Sequence, residues 1–90
     1  MNISLAYVER ELRLEDIEGL IEAGAPDNEY DSEAKELADA LATLANERLT
    51  GENVVAIISL IWARSFNLDD VDLEKRLSAF HRVAQKILQE

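Results

Sequence analysis

Val54-Val55-Ala56-Ile57-Ile58-Ser59-Leu60-Ile61-Trp62-Ala63-Arg64-Ser65-Phe66 is apolar on nearly every side, and the fold turns on whether it is a strand or a helix. Its β-branched residues favour a strand, and periodicity cannot separate a buried strand from a buried helix. Length favours a helix, since such strands run about 4–8 residues. No other segment reads as a strand, and a lone strand leaves its backbone N–H and C=O groups without partners. Residues 54–66 are therefore expected to form the central helix of the fold. The apolar run 54–63 is about half of the roughly 20 residues that cross a bilayer, so no membrane span is expected.

Working upstream, Thr50-Gly51-Glu52-Asn53 reads as a turn, with Thr50 as a helix cap. Before it, Ala34, Leu37, Ala38, Leu41, Leu44 and Ala45 share one face of a helix expected to run to about Leu49. Asp31 or Ser32 is expected to cap it, and Glu33 suits the positive end of its dipole. Gly24-Ala25-Pro26-Asp27-Asn28 is the clearest break, a glycine fit for a helix end followed by a proline that prevents continuation. Ahead of it lie two stripes, Leu5, Val8 and Leu12 in a helix from Ile3 to Arg13, and Leu14, Ile17, Leu20 and Ile21 in a second from Leu14 to Ala23. Continuing the first stripe lands on Glu15 and Asp16, so a bend is expected near 13–15; one kinked helix is the alternative. Downstream, Asn67-Leu68-Asp69-Asp70 ends the central helix and offers Asp69 or Asp70 as the next cap. The last helix is expected over Val71–Leu88, with Leu73, Leu77, Phe80, Ala84, Ile87 and Leu88 inward and Lys86 in its favourable last turns. The expectation is an all-α, compact bundle of four to five helices in a single domain, 1–90, since two domains would leave each half too small for a core.

Nineteen acidic side chains stand against nine basic ones in 90 residues, for a net charge of −10, and 12 of the acids fall between Glu9 and Asp39. Such a surface repels phosphate backbones and anionic lipid and attracts basic partners. Nucleic acid and membranes are thus not expected as partners. There is no cysteine, which removes disulfides, thiolate catalysis and cysteine-held zinc or iron–sulfur sites. Met1-Asn2-Ile3-Ser4-Leu5 lacks the features of a signal peptide, and a cytoplasmic location is expected.

Few residues invite chemistry. Asp27, Glu29, Asp31 and Glu33 alternate as in a calcium loop, but the sixth and twelfth places, which need glycine and glutamate, hold Ser32 and Ala38. A weak cation site is the functional alternative there; a solvated loop capping a helix is the bland one. His81 is the only histidine and reads as a boundary residue. Acidic pairs such as Glu15/Asp16 or Asp69/Asp70/Asp72 arise readily in so acidic a chain. There is no phosphate-cradling glycine loop and no nucleophile elbow, so no enzyme, metal or cofactor is expected. Trp62 and Phe66 read as core. Arg64 interrupts the apolar segment, either as a salt bridge to Asp27, Glu29 or Asp31 or as an interface anchor.

Gly24-Ala25-Pro26-Asp27-Asn28-Glu29-Tyr30-Asp31-Ser32-Glu33-Ala34 resembles a motif of the YugE-like family of small all-helical bacterial proteins of unknown function, approximately Gly-Ala-Pro-x-Asp/Glu-Glu-Tyr-Asp-x-Glu. The likeness covers roughly residues 15–45. Family members commonly carry a Trp-Asp-Pro-like element before a Gly-Leu pair; this chain keeps Gly19-Leu20 but has Leu14-Glu15-Asp16 there. The resemblance implies a helical fold, a special role for Tyr30, Asp31 and Glu33, and a toxin–immunity setting. Charge and resemblance together lead to a non-enzymatic interaction module, an immunity or inhibitor protein for a basic partner. Asp27, Glu29, Asp31, Glu33, Glu36 and Asp39 would steer association and Tyr30 would be the apolar anchor. The alternatives are a cation-responsive loop at 27–33 and a homo-oligomer built on Leu5, Val8 and Leu12.

Overall fold

Hydrophobic stripes every three to four residues fold this chain into helices alone. The computed structural model describes residues 3–89, and among them there is no strand. Met1 and Asn2, part of the N-terminal reading above, lie outside the described residues, as does Glu90. The helices are α1 (Leu5–Glu15), α2 (Asp31–Ala42), α3 (Gly51–Phe66) and α4 (Asp70–Leu88), with a short 3₁₀ turn at Asn46–Arg48. The radius of gyration is 12.2 Å, and a compact chain of this length is expected near 12 Å.

The helices pack as a ring: α1 against α2 and α4, and α3 against α2 and α4. Glu33 meets Ser65 and Glu36 meets Arg64, so α2 and α3 run antiparallel. The walls α2–α3 and α4–α1 lie on opposite sides. The segment 54–66 is helical as expected, but α3 is one corner of the ring rather than an axis wrapped on all sides. Ala56, Leu60 and Arg64 face outward, because a four-helix ring gives each member two neighbours only.

The core holds Val8, Leu12, Leu37, Leu41, Ile58, Trp62, Phe80, Val83 and Ile87. Trp62 sits at its aromatic centre, 5.3 Å from Phe66 and 6.0 Å from both Tyr30 and Phe80 between ring centroids, separations that favour stacked and tilted contacts. Val8 and Leu12 are buried. The stripe Leu5, Val8 and Leu12 is therefore internal, and only Leu5 remains at the surface for a second copy.

Three local expectations need correction. The second helix, 14–23, does not form: Asp16 takes a left-handed conformation (φ 48) and ends α1. Beyond it the chain makes turns, and Ile17, Leu20 and Ile21 pack on the core from a loop. The helix expected to reach Leu49 stops at Ala42, where the Thr43 hydroxyl donates to the Ala40 carbonyl at 2.7 Å, a side-chain bond that competes with helix continuation. Neither Asp31 nor Ser32 caps α2, which starts behind Tyr30 with no side-chain cap. The other caps fall where expected: Thr50 accepts from Asn53 N–H, and Asp69 forms a reciprocal capping box with Asp72.

Candidate functional site

Two polar arrangements stand out, one internal and one at the surface. The internal one fastens loop 16–25 to the bundle. The Asp16 carboxylate accepts from the Tyr30 hydroxyl at 2.6 Å and from the N–H groups of Ile21 and Glu22 at 3.1 and 3.0 Å. The same hydroxyl accepts from Glu18 N–H at 3.1 Å and Leu20 N–H at 3.4 Å. Four loop amides that a helix would have paired with carbonyls are thus satisfied by two side chains, which is what allows the loop to remain non-helical.

Burial pushes the Tyr30 hydroxyl up to about 12, and the bond to Asp16 adds to this. Burial also works to raise Asp16, but the bonds from Tyr30, Glu22, Ile21 and Leu20 outweigh it and hold the carboxyl below its ordinary value. Glu18 continues the chain of contacts. Its carboxylate accepts from the Trp62 indole N–H at 2.9 Å and pairs with the Arg76 guanidinium through two bonds of 2.6 and 2.9 Å. Arg76 also donates to the Asp72 carbonyl at 2.8 Å, joining the start of α4 to the loop. In this geometry Asp16, Glu18, Tyr30 and Arg76 are all engaged in fastening the loop to the bundle.

The surface arrangement lies on the α2–α3 wall. A groove of about 390 Å³ runs between the helices, lined by the apolar Ala40, Ile57, Leu60 and Ile61 and by the charged Glu36, Asp39 and Arg64. Leu60 is 66 % exposed there. Arg64 reaches Glu36 at 3.4 Å and Lys35 reaches Asp39 at 3.1 Å, both pairs open to solvent. The acidic strip continues toward the start of α2. Glu33 is partly buried against α3, and burial raises its pKa, with the nearby charges of Glu36 and Glu29 adding to the rise.

The sequence-predicted acids therefore divide. Glu29, Glu33 and Glu36 come together electrostatically, and Glu36 and Asp39 flank an apolar groove. Asp27 is exposed in the preceding turn and Asp31 half-buried in the first turn of α2. Tyr30 is 2 % exposed, so it is not a surface anchor: its ring belongs to the core and its hydroxyl to the loop. Arg64 pairs with Glu36 rather than with Asp27, Glu29 or Asp31. Among the described residues no group of three or more His, Asp or Glu side chains is placed to hold a metal ion, so the alternating acids 27–33 do not converge. His81 is exposed on α4.

Sequence reading missed Asp16, Glu18, Arg76 and Leu60. The out-of-phase stripes pointed to a break near Asp16, and a buried Trp N–H and Tyr O–H each demand a partner. Nothing local pairs Glu18 with Arg76, 58 residues apart. On the opposite side, between α1 and α4, a groove of about 490 Å³ is lined by Arg10, Leu14, Glu15, Arg82 and Lys86, among others. Glu15 and Arg82 satisfy each other there through two bonds of 3.0 Å. Among the described residues no helix is long and apolar enough to cross a membrane. No family model, curated protein or solved structure matches the chain.

Proposed function

We propose that this chain is a non-enzymatic interaction protein of the cytoplasm, an immunity or inhibitor protein whose α2–α3 face receives a basic partner. The observation that carries the reading is the joining of the Glu29–Glu33–Glu36 strip to a groove floored by exposed Leu60. In a chain of net charge −10 such a face attracts a cationic protein over distance and offers apolar contact on arrival. Burial raises the pKa of Glu33 and the nearby charges of Glu36 and Glu29 add to the rise, so a cation arriving there relieves that added repulsion as well as gaining attraction. The YugE-like resemblance, carried by residues 24–33, belongs to the same proposal, with Tyr30 recast as the residue that shapes the loop before α2.

The experiment is capture of a partner on immobilised chain from the native lysate, with stepwise salt elution. Glu29→Lys with Glu33→Lys is expected to abolish capture of a basic protein, while Glu47→Lys with Glu52→Lys, the same charge change elsewhere, leaves it nearly intact. Equal loss with both pairs would reduce the acidic face to a general effect of net charge. No loss with either would end the reading.

A further inference from the structure

We propose that the α2–α3 groove seats one amphipathic basic helix of the partner, and that Arg64 occupies in the free chain the place taken by that helix's own cation. The proposal rests on the reading above that the partner is basic, and adds the form of the docking segment and a gate.

The form follows from backbone hydrogen bonding. Both walls of the groove are helices whose N–H and C=O groups are internally satisfied, and the described residues contain no sheet edge. An extended segment laid there would lose water from backbone groups that find no partner, whereas a helix brings its own bonds. From Ile57 to Arg64 the groove follows α3 for about 10 Å at 1.5 Å per residue, the span of roughly two turns. That length accepts apolar anchors at i, i+3 or i+4, and i+7. Ala40, a small side chain in the α2 wall, permits close approach, and Leu60 is open to contact.

The gate follows from charge. Glu36 and Asp39 line the groove, Arg64 is the only cation among its described lining residues, and Lys35, outside the lining, reaches Asp39 at 3.1 Å. Arg64 meets Glu36 at 3.4 Å, with 68 % and 44 % of the two side chains exposed. Such solvent-exposed pairs contribute little, so a lysine or arginine on the docking helix displaces Arg64 at small cost. Removing Arg64 therefore strengthens binding, even though arginine is the residue most often credited with making interfaces.

The test uses a fluorescein-labelled peptide of leucine and lysine, about 14 residues long, arranged as an amphipathic helix of the kind that fills helical grooves. A second peptide has the same composition, permuted so that its leucines share no face. Anisotropy at about 0.1 M salt limits long-range attraction. The helix is expected to bind saturably and the permuted peptide about tenfold more weakly, as loss of an anchored apolar face implies. Leu60→Asp is expected to weaken the helix about tenfold, although it adds the charge that general attraction would welcome. Arg64→Ala is expected to tighten it about threefold, while Arg48→Ala, the same charge change away from the groove, has little effect.

Equal binding of both peptides, insensitive to Leu60→Asp, overturns the helix proposal and leaves the acidic-face reading standing. No saturable binding of either peptide, together with loss of lysate capture selectivity, overturns both. Equal effects of Arg64→Ala and Arg48→Ala overturn the gate. Sedimentation of the chain alone completes the set, since a dimer abolished by Leu60→Asp makes a second copy the occupant and overturns the proposal.

Discussion

Replacing Tyr30 with phenylalanine keeps the ring in the core and removes only the hydroxyl that holds loop 16–25 in place. That hydroxyl donates to Asp16 at 2.6 Å and accepts from Glu18 N–H at 3.1 Å; the 3.4 Å contact with Leu20 N–H is weak. A hydrogen bond to a charged group contributes about 1.5–3 kcal/mol, and the part-buried Glu18 amide loses up to about 1 kcal/mol more where water replaces its acceptor poorly. The expected loss is about 2–3 kcal/mol, or roughly 10–20 °C in Tm for a domain of this size. Far-UV circular dichroism melts at neutral pH measure it. Asp16→Asn completes a double-mutant cycle, because asparagine tolerates the left-handed backbone at that position and the swap removes charge rather than shape. Direct neighbours of this kind couple by about 1–3 kcal/mol. The alkaline limb gives a second readout. Tyr30 titrates at about 12 in the folded chain against an ordinary 10.0. Its folded value is the higher one, so its stabilisation is complete below about pH 10 and is lost as pH rises through about 12. The Phe variant lacks that component of alkaline destabilisation. A variant melting within about 3 °C of the parent, or full additivity with Asp16→Asn, would refute the role assigned to this hydroxyl.

Glu18→Gln removes the charge opposite Arg76 in a pair whose side chains are 25 % and 11 % exposed; a loss of about 1–3 kcal/mol in urea unfolding is expected. Glu33→Gln is expected to stabilise the chain at neutral pH by about 0.5 kcal/mol. The folded pKa of Glu33 lies above its ordinary 4.5, so its contribution is favourable only below that value and is lost as pH rises through the folded value; melts at pH 7 and pH 3.5 should show the advantage only at the former. Gly24→Ala and Gly19→Ala both place a Cβ in open space, which isolates backbone strain. Gly24, at φ +114, lies outside the left-handed helical region that Gly19 occupies at φ +69, so Gly24→Ala should cost about 1–3 kcal/mol and more than Gly19→Ala, read from urea midpoints.

Stripes at three- and four-residue steps were enough to place α1 and α4, because burial of one face is what stabilises each helix and the stripe is its direct trace; α3, apolar nearly all round, was placed by its length and by the lack of any strand to pair with. Thr50 and Asp69 were legible as caps because capping is local chemistry, complete within three residues. The largest failure lies where distant groups decide local form. Leu14, Ile17, Leu20 and Ile21 have helical spacing, yet Leu14 belongs to α1, and the amides of Glu18, Leu20, Ile21 and Glu22 are satisfied by Asp16 and by Tyr30, a residue from beyond the break. The extent of α2 was overread because Leu44 and Leu49 do pack on the core, but from a turn rather than a helix. The face acids were legible by count alone. The groove beside them was not, since Leu60 sits in an apolar run whose members differ in exposure only once α2 and α4 have taken their sides of α3.

The acids of the first half of the chain thus serve two opposed purposes. Glu15, Asp16 and Glu18 are each held by bonds of 3.1 Å or less to Arg82, to Tyr30 and loop amides, and to Trp62 with Arg76. Charge is useful to the fold there, because a carboxylate accepts several donors at once and a neutral side chain of that size does not. Glu29, Glu33 and Glu36 stand otherwise. Burial against α3 raises the pKa of Glu33, with the nearby charges of Glu36 and Glu29 adding to the rise, and the cation that meets Glu36 is a solvent-exposed Arg64. Burial of α2 through Ala34, Leu37 and Leu41 requires no charge at these three positions. The ionised form of Glu33 works against the folded state, chiefly through its burial, while Glu36 places negative charge beside an exposed leucine. Under the proposed docking, a basic helix at that groove would offset the charge and cover the leucine in the same step, so the features least useful to the isolated fold are those proposed to serve binding.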